Sequence, residues 1–177
     1  MKRFIQNIFG LRKDVGLNFY LADFVFRKIL RQNANTKWAI HYTSTVIAPE
    51  NITRGKSVYP GDSPANYIEA MNGISIGDFT NIGPNVGILS ANHDLIDNSK
   101  HTKAAPIKIG SFCWIGMNVT ILPGVELGDF TVVGAGSVVS KSIADGYCVL
   151  GGNPATIIKQ LDKEACESFR KSKYGEG

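Results

Sequence analysis

An aliphatic residue returns at every sixth position along most of this chain, and the beat fails at one histidine. Ile109, Ile115, Ile121, Leu127, Val133 and Val139 keep the step, as do Ile76, Ile82 and Ile88, and earlier Ile40, Val46, Ile52 and Val58. Glycine follows the aliphatic residue at Gly77, Gly83, Gly110, Gly116, Gly128 and Gly134. From Ile88 the next step falls on Asp94, and Ile109 lies fifteen residues further, which is not a multiple of six. The register therefore slips just after His93, within Ser90-Ala91-Asn92-His93-Asp94. An interruption that carries a titratable side chain is a candidate site.

The period matches neither an isolated strand nor a helix, whose side chains repeat every 2.0 and about 3.6 residues. It predicts a parallel β-helix, in which stacked coils bury one continuous core and three six-residue faces make a coil of about 18 residues. A second small or apolar row stands two places before the first: Ile107, Cys113, Val119, Val125, Thr131 and Ser137. Cys113 is then a core thiol rather than a reactive one. Glycine after the inward residue suits a tight corner of unusual φ. At a strand spacing of about 4.8 Å, roughly five coils make a prism about 25 Å long. Its two ends present unpaired strand edges that need covering, and its flat faces suit a homotrimer.

The bulk properties narrow the classes. A chain of 177 residues that is 44% hydrophobic and 19% charged is one soluble globular domain, not a disordered one. The net charge of +4 suits an anionic ligand, but no dense Lys/Arg stripe argues for nucleic acid. Three cysteines, Cys113, Cys148 and Cys166, lack metal-ligand spacing, so no metal is expected. The start Met1-Lys2-Arg3 leads into a mixed stretch, not a signal peptide, and points to a cytoplasmic location. No run approaches the roughly 20 apolar residues of a membrane span, which excludes integral membrane association.

Three segments follow. Residues 1–36 form an N-terminal helical cap, with Leu17, Tyr20, Leu21, Phe24, Val25 and Ile29 at helical spacing. A helix packed over the open end of the repeat is favoured over a membrane-surface helix. Residues 37–155 are the repeat, with an excursion loop over 94–106. Residues 156–177 are a C-terminal helix, predicted from Thr156 to Lys173 with Ile157, Ile158, Leu161, Ala165 and Phe169 on one side.

Four segments carry a family resemblance: Ile82-Gly83-Pro84-Asn85-Val86; Ala91-Asn92-His93-Asp94; Cys113-Trp114-Ile115-Gly116 with Ile121-Leu122-Pro123-Gly124-Val125; and Gly134-Ala135-Gly136-Ser137-Val138-Val139-Ser140-Lys141 leading to Gly151-Gly152-Asn153-Pro154-Ala155. In order and spacing they resemble the hexapeptide-repeat acyltransferases, in the sugar O-acetyltransferase branch of maltose and galactoside acetyltransferases. The resemblance implies a mainly β fold, a left-handed parallel β-helix flanked by helices. It implies acetyl-CoA as donor, a saccharide or other small-molecule acceptor, and a homotrimer with sites between subunits. His93 matches the catalytic histidine of that family. Met117, Ala135, Ser140, Lys141 and Lys159 match positions that line the CoA channel, and Trp114 matches a tryptophan beside the reaction centre. The Asn-Phe-Asn-like segment upstream of the histidine has no clear counterpart in Pro60–Asn72. Tyr67 or Asn72 is the candidate to fill part of its acceptor-binding role.

The chemistry fits the residues. Acetyl transfer from a thioester needs a base for the acceptor hydroxyl and donors for the oxyanion. A neutral histidine suits the first task. Its other ring nitrogen needs an orienting acceptor: Asp94 is the nearest carboxylate, Asp97 the second, and a backbone carbonyl the rival. Backbone N–H groups near Trp114–Met117 are the expected oxyanion donors. His101 reads as a solvated or substrate-facing loop residue and His41 as an outward one without a role. Serine acetyltransferase needs a longer helical domain than residues 1–36. A γ-type carbonic anhydrase needs three histidines around zinc, and the spacing of His41, His93 and His101 differs from that family's. A non-catalytic scaffold would not need His93 together with Gly-Asn-Pro.

Overall fold

The computed structural model describes Arg12 and residues 15–175; the rest of the predicted N-terminal cap lies outside the described residues. Strand pairing forms three walls. The first holds Thr45–Ile47, Tyr67–Glu69, Gly87–Leu89, Thr120–Ile121 and Val138–Val139 in that order. The second holds Ile52–Arg54, Ile74–Ile76, Ile107–Ile109 and Glu126–Leu127. The third holds Asn81–Ile82, Trp114–Ile115, Thr131–Val133, Cys148–Gly152 and Ala155–Gln160. All pairs are parallel except the last, so the chain moves from wall to wall and returns one rung further on.

The register of these rungs measures the repeat and its interruption. Ile121 pairs with Val139, eighteen positions on, whereas Ile88 pairs with Ile121, thirty-three positions on. The excess of fifteen residues is the excursion after His93. Both inward rows are buried: Ile88, Ile115, Ile121 and Val133 are at 0% exposure, and Ile107, Val119 and Thr131 match them. At roughly 25 cal/mol per Å² of apolar area, this stacked core is the main term favouring the fold.

The glycines act differently from the sequence expectation. Left-handed backbone falls two residues after several of them, at Phe79, Asn85, Phe112, Asn118 and Phe130. The glycines themselves allow coils to approach. A Cβ on Gly110 would stand 2.5 Å from the Asp129 nitrogen, and one on Gly116 would stand 2.7 Å from the Val133 oxygen.

Phe79, Phe112, Phe130 and Tyr147 occupy equivalent corner positions between the second and third walls, all at positive φ. Their rings stack in order with centroids 5.3, 4.9 and 5.6 Å apart. Left-handed backbone costs an ordinary residue roughly 1–2 kcal/mol, and aromatic pairs return about 0.5–1.5 kcal/mol each beyond their burial.

Two terminal elements finish the prism. Helix α1 (Leu17–Asp23) continues as a π-helical segment, Phe24–Ile29, against the first coil. Buried Asp23 accepts from the Ile40 N–H at 3.1 Å and from Arg27 Nε at 2.7 Å. Asn33 pairs like a strand with the open edge: its Oδ1 accepts from Val46 N–H and its Nδ2 donates to the Ser44 carbonyl, both at 2.8 Å. At the other end the predicted helix starts later than expected. Ala155–Gln160 is an antiparallel strand on Cys148–Gly152, because the Gly151-Gly152-Asn153-Pro154 turn reverses the chain and Thr156, Ile157 and Ile158 are β-branched. Helix α2 (Lys163–Tyr174) begins only after Asp162, whose side chain caps the Ala165 N–H at 3.1 Å. It runs back along the aromatic ladder, where Tyr174 lies 4.0 Å from Phe79 and the Tyr147 hydroxyl donates to Glu167 at 2.5 Å.

Candidate functional site

His93 leaves the first wall just after Gly87–Leu89 and stands exposed at the base of a short hairpin. It bridges His101 in antiparallel fashion, and the two rings lie 4.5 Å apart. The Asp94 N–H donates to the Lys100 carbonyl at 2.9 Å and the Thr102 N–H to the Asn92 carbonyl at 2.8 Å, closing the hairpin. His93 Nδ1 lies 2.6 Å from the Asn98 carbonyl oxygen. A carbonyl can only accept, so Nδ1 carries a proton, and in the neutral ring Nε2 keeps its lone pair. That tautomer is the one a general base needs.

Asp94 does not orient His93, which corrects the first of the sequence expectations for its partner. Its Oδ1 accepts from the backbone N–H groups of Ile96 and Asp97, both at 2.9 Å. Those bonds, the Asp97 N–H foremost, hold its carboxyl below the ordinary range near 3.8. A short Asp side chain meets the N–H groups two and three residues ahead more readily than a neighbouring ring. Asp97 is likewise occupied, by Lys100 at 2.8 Å and by Ser99. His101 is exposed, as expected of a solvated loop residue, and its ring also lies against that of His93.

Sequence reasoning missed Glu69. This carboxylate is 7% exposed on the first wall, beneath the loop take-off. Its Oε2 accepts from the Ala91 N–H at 2.8 Å, and its Oε1 accepts from the Met71 N–H and the Ser90 hydroxyl. The residue clamps the segment that launches His93. Asn72 adds a second clamp: its Nδ2 donates to the carbonyls of Ser90 and Thr102, at 2.9 and 3.1 Å. Both Nδ2 protons are thereby committed to the loop base, so this residue braces the site rather than presenting a free amide donor. Tyr67 faces outward, 46% exposed, on the rung between Thr45 and Gly87.

The other predicted residues fall into three groups. Ser140 and Lys141 are exposed and follow Val138–Val139, on the edge of the first wall from which His93 departs. Two strand spacings, about 10 Å, separate them from the His93 rung. Met117 and Ala135 stand together at the corner that opens the first wall, where the Gly136 N–H donates to the Met117 carbonyl at 2.9 Å. Trp114, 55% exposed, sits on the outer face of the third wall, in one row with Val132, Val149 and Lys159. A single copy of the chain thus places His93 and Met117 at opposite edges of the first wall.

All three thiols are shifted away from the thiolate form. Burial pushes Cys113 up to about 11 and also raises Cys148 and Cys166. Among the described residues no group of three His, Cys, Asp or Glu side chains is arranged to hold a metal ion. An apolar groove of about 490 Å³ runs between the aromatic ladder and α2, lined by Phe79, Phe112, Phe130, Trp114, Phe169 and Tyr174. It opens on the corner between the second and third walls, away from the His93 edge.

The chain is similar to known hexapeptide-repeat transferases. Residues 106–141 match the family model for the bacterial transferase hexapeptide (six repeats). A maltose O-acetyltransferase from Clostridium difficile 630 is 36% identical, with 65% of this chain and 62% of that chain covered and a TM-score of 0.59. A hexapeptide-repeat acetyltransferase from Vibrio cholerae O1 biovar eltor, solved with acetyl coenzyme A, is 30% identical. There 68% of this chain and 69% of that chain are covered, at a TM-score of 0.51. WcaF of Escherichia coli (strain K12), assigned as a colanic acid biosynthesis acetyltransferase, is 36% identical over 112 residues, 63% of this chain and 60% of that protein. The chain spans less than two thirds of the curated relatives it matches, from 45% to 60% of their length. With the repeat, its coils and these matches together, the chain belongs to the hexapeptide-repeat acetyltransferase family.

Proposed function

We propose that this chain is an acetyl-CoA-dependent O-acetyltransferase that acetylates a hydroxyl of a sugar or polysaccharide precursor. The observation that carries the reading is the Nδ1 bond of His93 to the Asn98 carbonyl, which in the neutral, exposed ring leaves Nε2 unprotonated and able to act as the base. In the proposed step Nε2 takes the acceptor hydroxyl proton as that oxygen attacks the thioester carbonyl. The tetrahedral oxyanion then collapses, the C–S bond breaks, and the imidazolium returns the proton to the departing thiolate. Charge and atoms balance without a covalent enzyme intermediate, consistent with cysteines held as thiols.

The coils wind in the left-handed sense in this reading, and the protein works as a cytoplasmic homotrimer. Support for the trimer comes from the placement of His93 and Met117 at opposite edges of one wall. A neighbour's Met117–Ala135 corner would complete the cleft beside His93. Trp114 would pack there, and Lys141 and Lys159 would meet the donor's phosphates as mobile point charges. Tyr67, on the same wall as the loop base, is the proposed acceptor contact.

The test is an acceptor screen with acetyl-CoA and free-thiol detection over sugars, nucleotide sugars, serine and amines. Thiol release that depends on a sugar hydroxyl is expected. Release only with serine or an amine, or with no acceptor at all, would remove the sugar O-acetyltransferase reading.

A further inference from the structure

Among the described residues, the outer face of the N-terminal helical element has no partner. Its inner face is committed: Phe26 stacks on Tyr42 at 4.8 Å, Phe19 faces His41, and Asp23 with Arg27 holds the first coil. The opposite side exposes Leu21 (64%), Phe24 (55%), Ile29 (60%) and Leu30 (61%). Exposed Lys28 and Arg31 stand among them. Four large apolar side chains left in water on one short element form a patch that calls for a partner.

Charge identifies the partner's chemistry. Residues 1–37 hold eight Lys/Arg and two Asp/Glu, a net +6, whereas residues 38–177 hold eleven and thirteen, a net −2. Among the described residues of the first segment, Arg12, Arg27, Lys28, Arg31 and Lys37 stand against one acidic residue, Asp23, a net +4 at the end that carries the apolar ridge. Asp23 is itself neutralised by Arg27 at 2.6 Å. A second copy of this chain would set like charge against like charge across a symmetric contact, which repels. An anionic bilayer accepts both features at once: acyl chains take up the apolar ridge and headgroups attract the cations. No helix among the described residues is long and apolar enough to cross a membrane, so the contact lies in the interfacial plane.

We propose that α1 and its π-helical extension dock this protein on an anionic lipid surface through Leu21, Phe24, Ile29 and Leu30, with Lys28 and Arg31 facing the headgroups. Docking sets the first coil against the bilayer, and the later coils, with the His93 edge, project away from it. An acceptor carried at a membrane would then be presented to the prism from its N-terminal end.

The experiment is co-sedimentation of the full chain with phosphatidylcholine vesicles, with and without phosphatidylglycerol. It needs no acetyl transfer, so it stands or falls apart from the enzymatic reading. The protein should sediment with the anionic vesicles and not with the neutral ones, and high salt should release it. Lys28→Gln with Arg31→Gln should weaken binding about 30-fold, at about fivefold per cation. Leu21→Glu with Phe24→Glu should abolish it while circular dichroism and the repeat core stay unchanged. No sedimentation of the parent chain, equal sedimentation with neutral vesicles, or full binding by the Leu21→Glu, Phe24→Glu variant would overturn the proposal. So would a drop in assembly size in that variant with lipid binding intact, which would make the ridge a contact between copies.

Discussion

Two corners of the same prism are built on opposite principles. Between the second and third walls, Phe79, Phe112, Phe130 and Tyr147 stack through four coils and α2 covers them. Between the first and second walls the coil opens, and the excursion loop is held almost wholly by hydrogen bonds to backbone atoms and by the Glu69 and Asn72 clamps. The first corner is rigid because its contacts are many and apolar. The second places one imidazole by a few directed bonds and leaves it wet. Stability and chemistry are thus separable in this fold, since one continuous core supports a loop that contributes little to it.

Substitutions on the two sides should separate accordingly. Phe112→Ala removes the middle of the ladder, with its contacts to Phe79, Phe130 and Tyr174. It should cost about 2–3 kcal/mol, below the value for a fully buried phenylalanine because this ring is half-buried. Thermal unfolding should fall by roughly 5–10 °C for a chain of this size. Acetyl transfer per folded molecule should stay near the parent value, and a large loss would break the separation. Glu69→Gln acts on the other side. It sets an amide donor against the Ala91 or Met71 N–H, at a cost on the order of 1–3 kcal/mol confined to the loop base. Amide exchange at Ala91 should speed up, and kcat should drop about tenfold, or 1.4 kcal/mol, with KM for acetyl-CoA unchanged. Unchanged exchange at Ala91 would show that Glu69 does not hold the take-off.

The sequence made the corners legible to different degrees. Spacing alone identified the inward rows, because a buried position tolerates few residue types, and the slip at His93 marked the loop because an insertion breaks the count. The orientation of His93 was not legible: the choice between Asp94, Asp97 and a carbonyl depends on how the hairpin closes, and Asp94 is consumed by its own turn. Glu69 was hidden because its partners Ser90 and Ala91 lie 21 and 22 residues away in sequence and meet it only across a rung. The strand at Ala155–Gln160 read as helix because Ile157, Ile158 and Leu161 fit either period. The aromatic ladder could have been found: Phe112 and Phe130 are one 18-residue coil apart, and both sit two places after a core-lining glycine.

The most direct measurement compares acetyl transfer by the parent chain and by His93→Ala, each shown to bind coenzyme A and to keep its assembly size. Loss of general-base catalysis should lower kcat by about 10²–10⁴ with coenzyme A binding intact. Transfer at the parent rate by His93→Ala would contradict the assignment of this loop edge as the place where the chemistry occurs.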